Sequence, residues 1–159
     1  MKLKIFFISI CALFCQLSMA QSDLFKRYAD KEGVSSVYVS KAMIQMALDA
    51  VSNADLYLNN MKGKIEGIQI VSSDNAVLKN EMDESFRKLI GNQHEELMRI
   101  KDESGELVTF HIKKEGNLIT ELIMLVNEED EFSAIQILGK FTMQDIQEIT
   151  SRKEGEKTK

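Results

Sequence analysis

From Glu95 onward, apolar and polar positions alternate in short runs separated by polar breaks. The runs are EELMRIKD, ELVTFHIKK, NLITELIMLVN and EFSAIQILGK, and the breaks are ESG, EG and EED. Alternation with period two between turn-like connections predicts a four-strand antiparallel meander. Upstream the spacing is different. Leu24, Phe25 and Tyr28 share one side of a short helix stopped by Gly33, and VSSVYVS reads as a strand. Ser40 then caps a helix through Met43, Ile44, Ala47, Leu48 and Val51. KIEGIQIVS is a further strand. Leu78, Met82, Phe86 and Leu89 mark a helix capped by Ser73 or Asp74, with Asp83–Arg87 and Glu84–Lys88 pairs on its outer side. The last helix has Thr142 as cap, Asp145 at the capping-box position and Phe141 placed to staple onto Ile146. Asn53 to Gly63 fits either a helix extension or a loop. The sum is a two-layer α+β domain, a mostly antiparallel sheet with helices packed on one face.

A one-residue slip moves every side chain of a strand to the other face, so the turns decide the core. A two-residue turn at Glu115-Gly116 sets Ile112 opposite Ile119, Phe110 opposite Glu121 and Val108 opposite Ile123. Three-residue turns at Glu103 to Gly105 and Glu128 to Asp130 set Ile100 opposite Val108, Met98 opposite Phe110, Ile123 opposite Ile135 and Glu121 opposite Ile137. A core face then gathers Met98, Ile100, Val108, Phe110, Ile112, Ile119, Ile123, Leu125, Ile135 and Ile137. The other face mixes Arg99, Lys101, Thr109, His111, Lys113, Thr120 and Gln136 with Leu97, Leu118, Leu122, Met124 and Leu138. Those last five form a candidate interaction face for a partner protein or a second copy, unless a first-half helix covers them.

Glu121 interrupts the most apolar strand, and a buried carboxylate is costly unless paired or protonated. Two expectations follow. Either it is a structural carboxylate, at the sheet margin or in a buried ion pair with a helix cation such as Arg87 or Lys88, or it is an acid in a pocket between sheet and helices, beside Phe110.

The ends of the chain change the picture of where it works. Lys2 and Lys4 precede an apolar run from Ile5 to Leu13, and Ser18-Met19-Ala20 supplies small residues before Gln21. That is the layout of a secretory signal peptide over residues 1–20, too short for a permanent membrane span. A single domain follows over 21–150, then a polar, frayed tail over 151–159. Cys11 and Cys15 both lie in the leader, and each follows a bulky residue, which disfavours lipidation. The 159 residues less the leader leave 139 without cysteine, hence without disulfide, thiol nucleophile or thiolate ligand. Without Lys2 and Lys4 the charge falls from −5 to −7, which disfavours nucleic acid and anionic membrane surfaces as partners. No second apolar run is long enough to act as a transmembrane anchor.

Catalytic and metal motifs are absent. His94-Glu95-Glu96 and His111 are ligand types suited to zinc, but their spacing is not that of two histidines on one helix face. In the register above, His111 lies opposite Leu97 and Glu96 points to the other face. No Gly-x-Ser-x-Gly elbow occurs, GKIEG lacks the ending of a phosphate loop, and NEEDE lacks the spaced ligands and glycine of a calcium loop. No catalytic residue, metal or cofactor is assigned.

LFKRYADKEGVSSVYVSKAMI, the four β-rich runs and TMQDI together resemble domain-of-unknown-function family 4252, over about Asp23 to Ile149. The resemblance is one of overall pattern. It implies export in a Gram-negative bacterium and a place in the periplasm, with lipid anchoring or secretion as alternatives. It implies a link to envelope signalling, and carries no activity or catalytic residue. The function expected is a non-enzymatic binding domain of the cell envelope. The alternative is a small-ligand carrier or enzyme with a pocket around Glu121.

Overall fold

A computed structural model describes residues 20–51, 63–91 and 93–150. The expected tail and all of the expected leader except Ala20 lie outside these residues, as does most of Asn53 to Gly63. The order is α1 (Ala20–Ala29), β1 (Ser35–Ser40), α2 (Lys41–Val51), β2 (Ile65–Ser73), α3 (Ala76–Ile90), β3 (Glu95–Lys101), β4 (Leu107–Glu115), β5 (Leu118–Asn127), β6 (Phe132–Phe141) and α4 (Met143–Thr150). The strands form one sheet in the order β1-β2-β6-β5-β4-β3, antiparallel throughout. The C-terminal meander is as expected, and β2 docks on its β6 side.

The main core lies between one face of the sheet and helices α1 and α3. Leu24, Phe25 and Tyr28 meet Met82, Phe86 and Ile90 over Val71, Ile123, Leu125, Phe132 and Ala134. Phe86 is the hub: its ring centroid is 4.8 Å from Phe25 and 5.6 Å from Tyr28. Burial of one such ring stabilises by roughly 1.5–3 kcal/mol. Tyr28 keeps its hydroxyl satisfied by donating to Ser85 Oγ at 2.9 Å.

Local signals mark most helix ends. Thr142 and Asp145 form the capping box: the Thr142 amide donates to Asp145 Oδ2 at 2.7 Å, and the Asp145 amide donates to Thr142 Oγ1 at 3.2 Å. The Asp83–Arg87 and Glu84–Lys88 pairs form as spaced. The cap of α3 is a correction. Asn75, not Ser73 or Asp74, accepts the amides of Val77 and Leu78. Ser73 is turned instead to the Gly33 carbonyl, which accepts its hydroxyl at 2.7 Å.

The register needs a larger correction. Ile100 does face Val108, and Met98 faces Phe110. But β5 is out of step with both neighbours. Phe110 lies opposite Met124, Ile112 opposite Leu122 and Val108 opposite Val126. Ile123 faces Gln136, and Glu121 faces Leu138. Two features cause this. The β4–β5 turn falls at Gly116-Asn117, with Gly116 at φ +62, and Thr120 is an extra residue in β5. The β5–β6 connection spans 128–131, with the Glu128 amide donating to the Glu131 carbonyl at 2.9 Å. Each change reverses the parity of pairing, so Ile123 and Leu125 share the helical face with Thr109, His111, Ala134 and Gln136. Val108, Phe110, Ile112, Ile135 and Ile137 occupy the opposite face, together with Met98 and Ile100.

That opposite face has its own small core at one end. Ile112, Ile119 and Phe141 are buried there, with Ile65, Leu97, Leu122, Ile137 and Ile146 of α4 packed against them. The bulges at Glu66, Leu97 and Thr120 fall at this end of the sheet, where strands bend and twist. Thus α4 adds partial cover on the face away from α1 and α3.

Candidate functional site

Two features were singled out in the sequence, the apolar positions of the meander and Glu121. The apolar positions come first. A central row crosses every strand: Val37 pairs with Ile70, Ile70 with Ile135, Ile135 with Met124, Met124 with Phe110, and Phe110 with Met98. No polar side chain interrupts it. One flanking row continues through Val39, Ile68, Ile137, Leu122 and Ile112 to Glu95, and the other through Ser35, Ser72, Ser133, Val126, Val108 and Ile100. The face is open where α4 does not reach: Val37, Met98 and Ile100 are exposed and the rest of the central row half-buried.

Of the five expected interaction residues, Leu122 and Met124 lie on this face, and Leu97 joins its covered end. Leu138 faces the helices beside Glu121, and Leu118 is exposed at the turn. The structure therefore does not bring the five together. Phe110, expected beside Glu121, lies on the opposite face. Sequence reasoning missed the row because it runs through Phe110 and Ile135, assigned there to the core. Its signal was present as a continuous apolar stripe, but only the correct parity of β5 exposes it.

Glu121 is 3% exposed, at the edge of the helical core. Its Oε2 lies 3.1 Å from His94 Nε2, and its Oε1 accepts a hydrogen bond from Gln136 Nε2. The His94 ring, fully buried, has Nδ1 3.2 Å from the Ile90 carbonyl oxygen at the end of α3. The partner is thus a histidine from the turn after α3; Arg87 and Lys88 pair within their own helix. His111 lies opposite Glu96, because Leu97 is an extra residue in β3, not opposite Leu97. Burial lowers the His111 imidazole below its ordinary value, against the pull of the Glu96 carboxylate. Thr109 Oγ1 and Gln136 Oε1 are buried without a hydrogen-bond partner among the described residues.

A polar layer of Thr109, His111, His94, Glu121 and Gln136 therefore lies inside the domain. No group of three metal-ligating side chains occurs among the described residues. Two surface grooves lie elsewhere. One of about 620 Å³ runs between α1 and α3 beside Lys26, Arg27, Ser85 and Lys88. The other, about 340 Å³, lies between α1 and strands β1 and β2.

Residues 28–149 match the family model described as a domain of unknown function, DUF4252. The chain belongs to the DUF4252 family. No curated protein and no solved structure matches the chain. The match spans all six strands and α2 to α4, so both the open face and the Glu121 layer belong to the DUF4252 domain. No helix among its described residues is long and apolar enough to cross a membrane.

Proposed function

We propose that this DUF4252 domain is an exported, non-enzymatic binding domain of the cell envelope, which works by burying the open face of its sheet against a second copy. The observation that carries this reading is the unbroken apolar row from Val37 to Met98. Extended apolar patches on water-soluble domains mark association surfaces. One flanking row is covered by α4 at Ile112, Leu122 and Ile137. With strands about 4.8 Å apart and same-face residues about 6.8 Å apart, the two rows left open give a flat footprint of roughly 400 Å². That is about half the ~800 Å² per partner of a standard interface, the size of a weak, concentration-dependent pairing. The charge supports a symmetric pairing too. The chain carries a net −5, yet its three open-face rows hold one charged residue, Glu95, at a corner. A two-fold axis through the central row sets that apolar row against itself without burying like charges; the flanking row of Ile100, Val108 and Val126 ends in Ser133, Ser72 and Ser35, which are uncharged.

Export rests on the leader-like residues 1–20. Amino-terminal sequencing of the protein from a periplasmic fraction should begin at Gln21. A link to envelope signalling extends the same reading. The alternative, a carrier or enzyme around Glu121, has less support: the carboxylate is engaged by His94 and Gln136, and neither groove is lined by it. Sedimentation equilibrium of the mature protein should give a dimer, and Met124→Lys or Phe110→Lys a folded monomer. A wild-type monomer at high micromolar concentration would overturn the reading.

A further inference from the structure

The two edges of the sheet are built differently. At one edge β3 carries Glu95, Glu96, Arg99 and Lys101, with Glu95 paired to Lys114 and Glu96 to Arg99. Charged residues on an edge strand discourage further strand pairing. At the other edge β1 is Ser-Ser-Val-Tyr-Val-Ser, with no charge and no proline. No described strand pairs with its outer side, and Val37 is 53% and Tyr38 66% exposed. Alternate residues of an antiparallel edge direct both backbone groups outward, so β1 offers a row of unpaired donors and acceptors. Beside it lies the 340 Å³ groove, with Phe25, Lys26 and Ala29 on the helix side and Ser36, Tyr38 and Val71 on the sheet side. That volume falls at the lower end of pockets that take ligand groups, about 300–1,000 Å³.

From this we infer that β1 is a receptor edge: it adds an extended, uncharged segment of another protein as a seventh strand, with one apolar side chain of that segment in the groove under α1. The backbone row fixes the occupant as a strand, because only an extended chain matches its spacing. β1 carries no charge and the one charged residue lining the groove is Lys26, so a basic segment is disfavoured and an uncharged one fits the strand. This surface is the edge of the sheet, so it works whether or not the open face pairs with a second copy.

The test uses an acetylated, amidated probe peptide, Thr-Val-Thr-Ile-Thr-Phe-Thr, and a control with prolines at alternate positions. Amide NMR of the mature protein should show alternate residues of 35–40 shifting and gaining exchange protection with the probe and not with the control. Val37→Pro and Tyr38→Pro form a pair in which one substitution removes an outward N–H and the other an inward one. The variant that keeps the wild-type melting temperature should weaken probe binding at least tenfold. Phe110→Lys, on the open face, should leave it unchanged. Unmoved β1 amides at saturating probe would overturn the inference. So would β1 amides already protected in the free protein, whether by residues 52–62 or, at high concentration only, by β1 of a second copy. Loss of probe binding in Phe110→Lys would also overturn it, by moving the site to the open face.

Discussion

Glu121 shows how a single residue is decided by neighbours far away in sequence. His94 precedes it by 27 positions, in the turn after α3, and nothing in the local spacing points to it. Breaking a buried hydrogen-bonded pair strands the remaining partner, so Glu121→Gln should lower unfolding free energy by roughly 1–3 kcal/mol. Urea denaturation checks this, and a double-mutant cycle with His94→Gln should give a coupling well above that of distant sites. An unchanged midpoint would rule the pair out as a stabilising contact. His111 makes a separate prediction. Its folded-state imidazole is held low by burial, with Arg99, Arg87 and His94 adding to the effect and Glu96 opposing it. Below the ordinary histidine value of about 6.5, the unfolded chain therefore binds more protons than the native one. Stability is present in full above that value and falls as the pH drops through it toward the lowered folded value. His111→Gln should flatten this decline between pH 7 and 5 in thermal melts. Equal slopes for both proteins would show that other groups carry it.

At the scale of elements, signals written in adjacent residues were legible and those set by distant strands were not. The capping box at Thr142 and Asp145, the helix pairs on α3 and the four-strand meander all depend on neighbours within a few positions. The β3–β4 register was also readable near its turn, since Ile100 meets Val108 as the turn length requires. The parity of β5 was not, because Thr120 is extruded as a bulge and no composition rule marks it. One such residue exchanged the faces of Phe110 and Ile112 relative to Glu121. The candidate interaction face was legible as an apolar surplus, and its membership was not. Gly139 shows why the bulged end is so constrained. A Cβ there would lie 2.3 Å from the Lys64 carbonyl oxygen, which already accepts the Lys140 amide at 2.8 Å. Gly139→Ala should force β2 and β6 apart and cost roughly 1–3 kcal/mol, as overpacking does. A melting temperature within error of wild type would show that the strand end relaxes freely.

For the whole molecule, charge and apolar surface act in opposite directions, and salt separates them. In the proposed dimer the acidic surface opposes association and burial of the open face favours it. Adding salt shortens the Debye length from about 30 Å at 0.01 M to about 10 Å at 0.1 M and weakens the repulsion between solvent-exposed charges. Apolar burial is little affected over that range. Dimerisation through the open face should therefore strengthen as sodium chloride rises from 0.01 to 0.3 M, with the dissociation constant falling several-fold. An interface held by cross-pairing of the charged β3 edges would do the opposite, because screening weakens ion pairs. Analytical ultracentrifugation across the salt series distinguishes the two, and Met124→Lys serves as the internal check. It plants a cation in the centre of the apolar row, so it should abolish the dimer at every salt concentration while leaving the helical core of Phe25, Phe86 and Phe132 untouched. A dimer that survives Met124→Lys and weakens with salt would place the contact elsewhere on the surface.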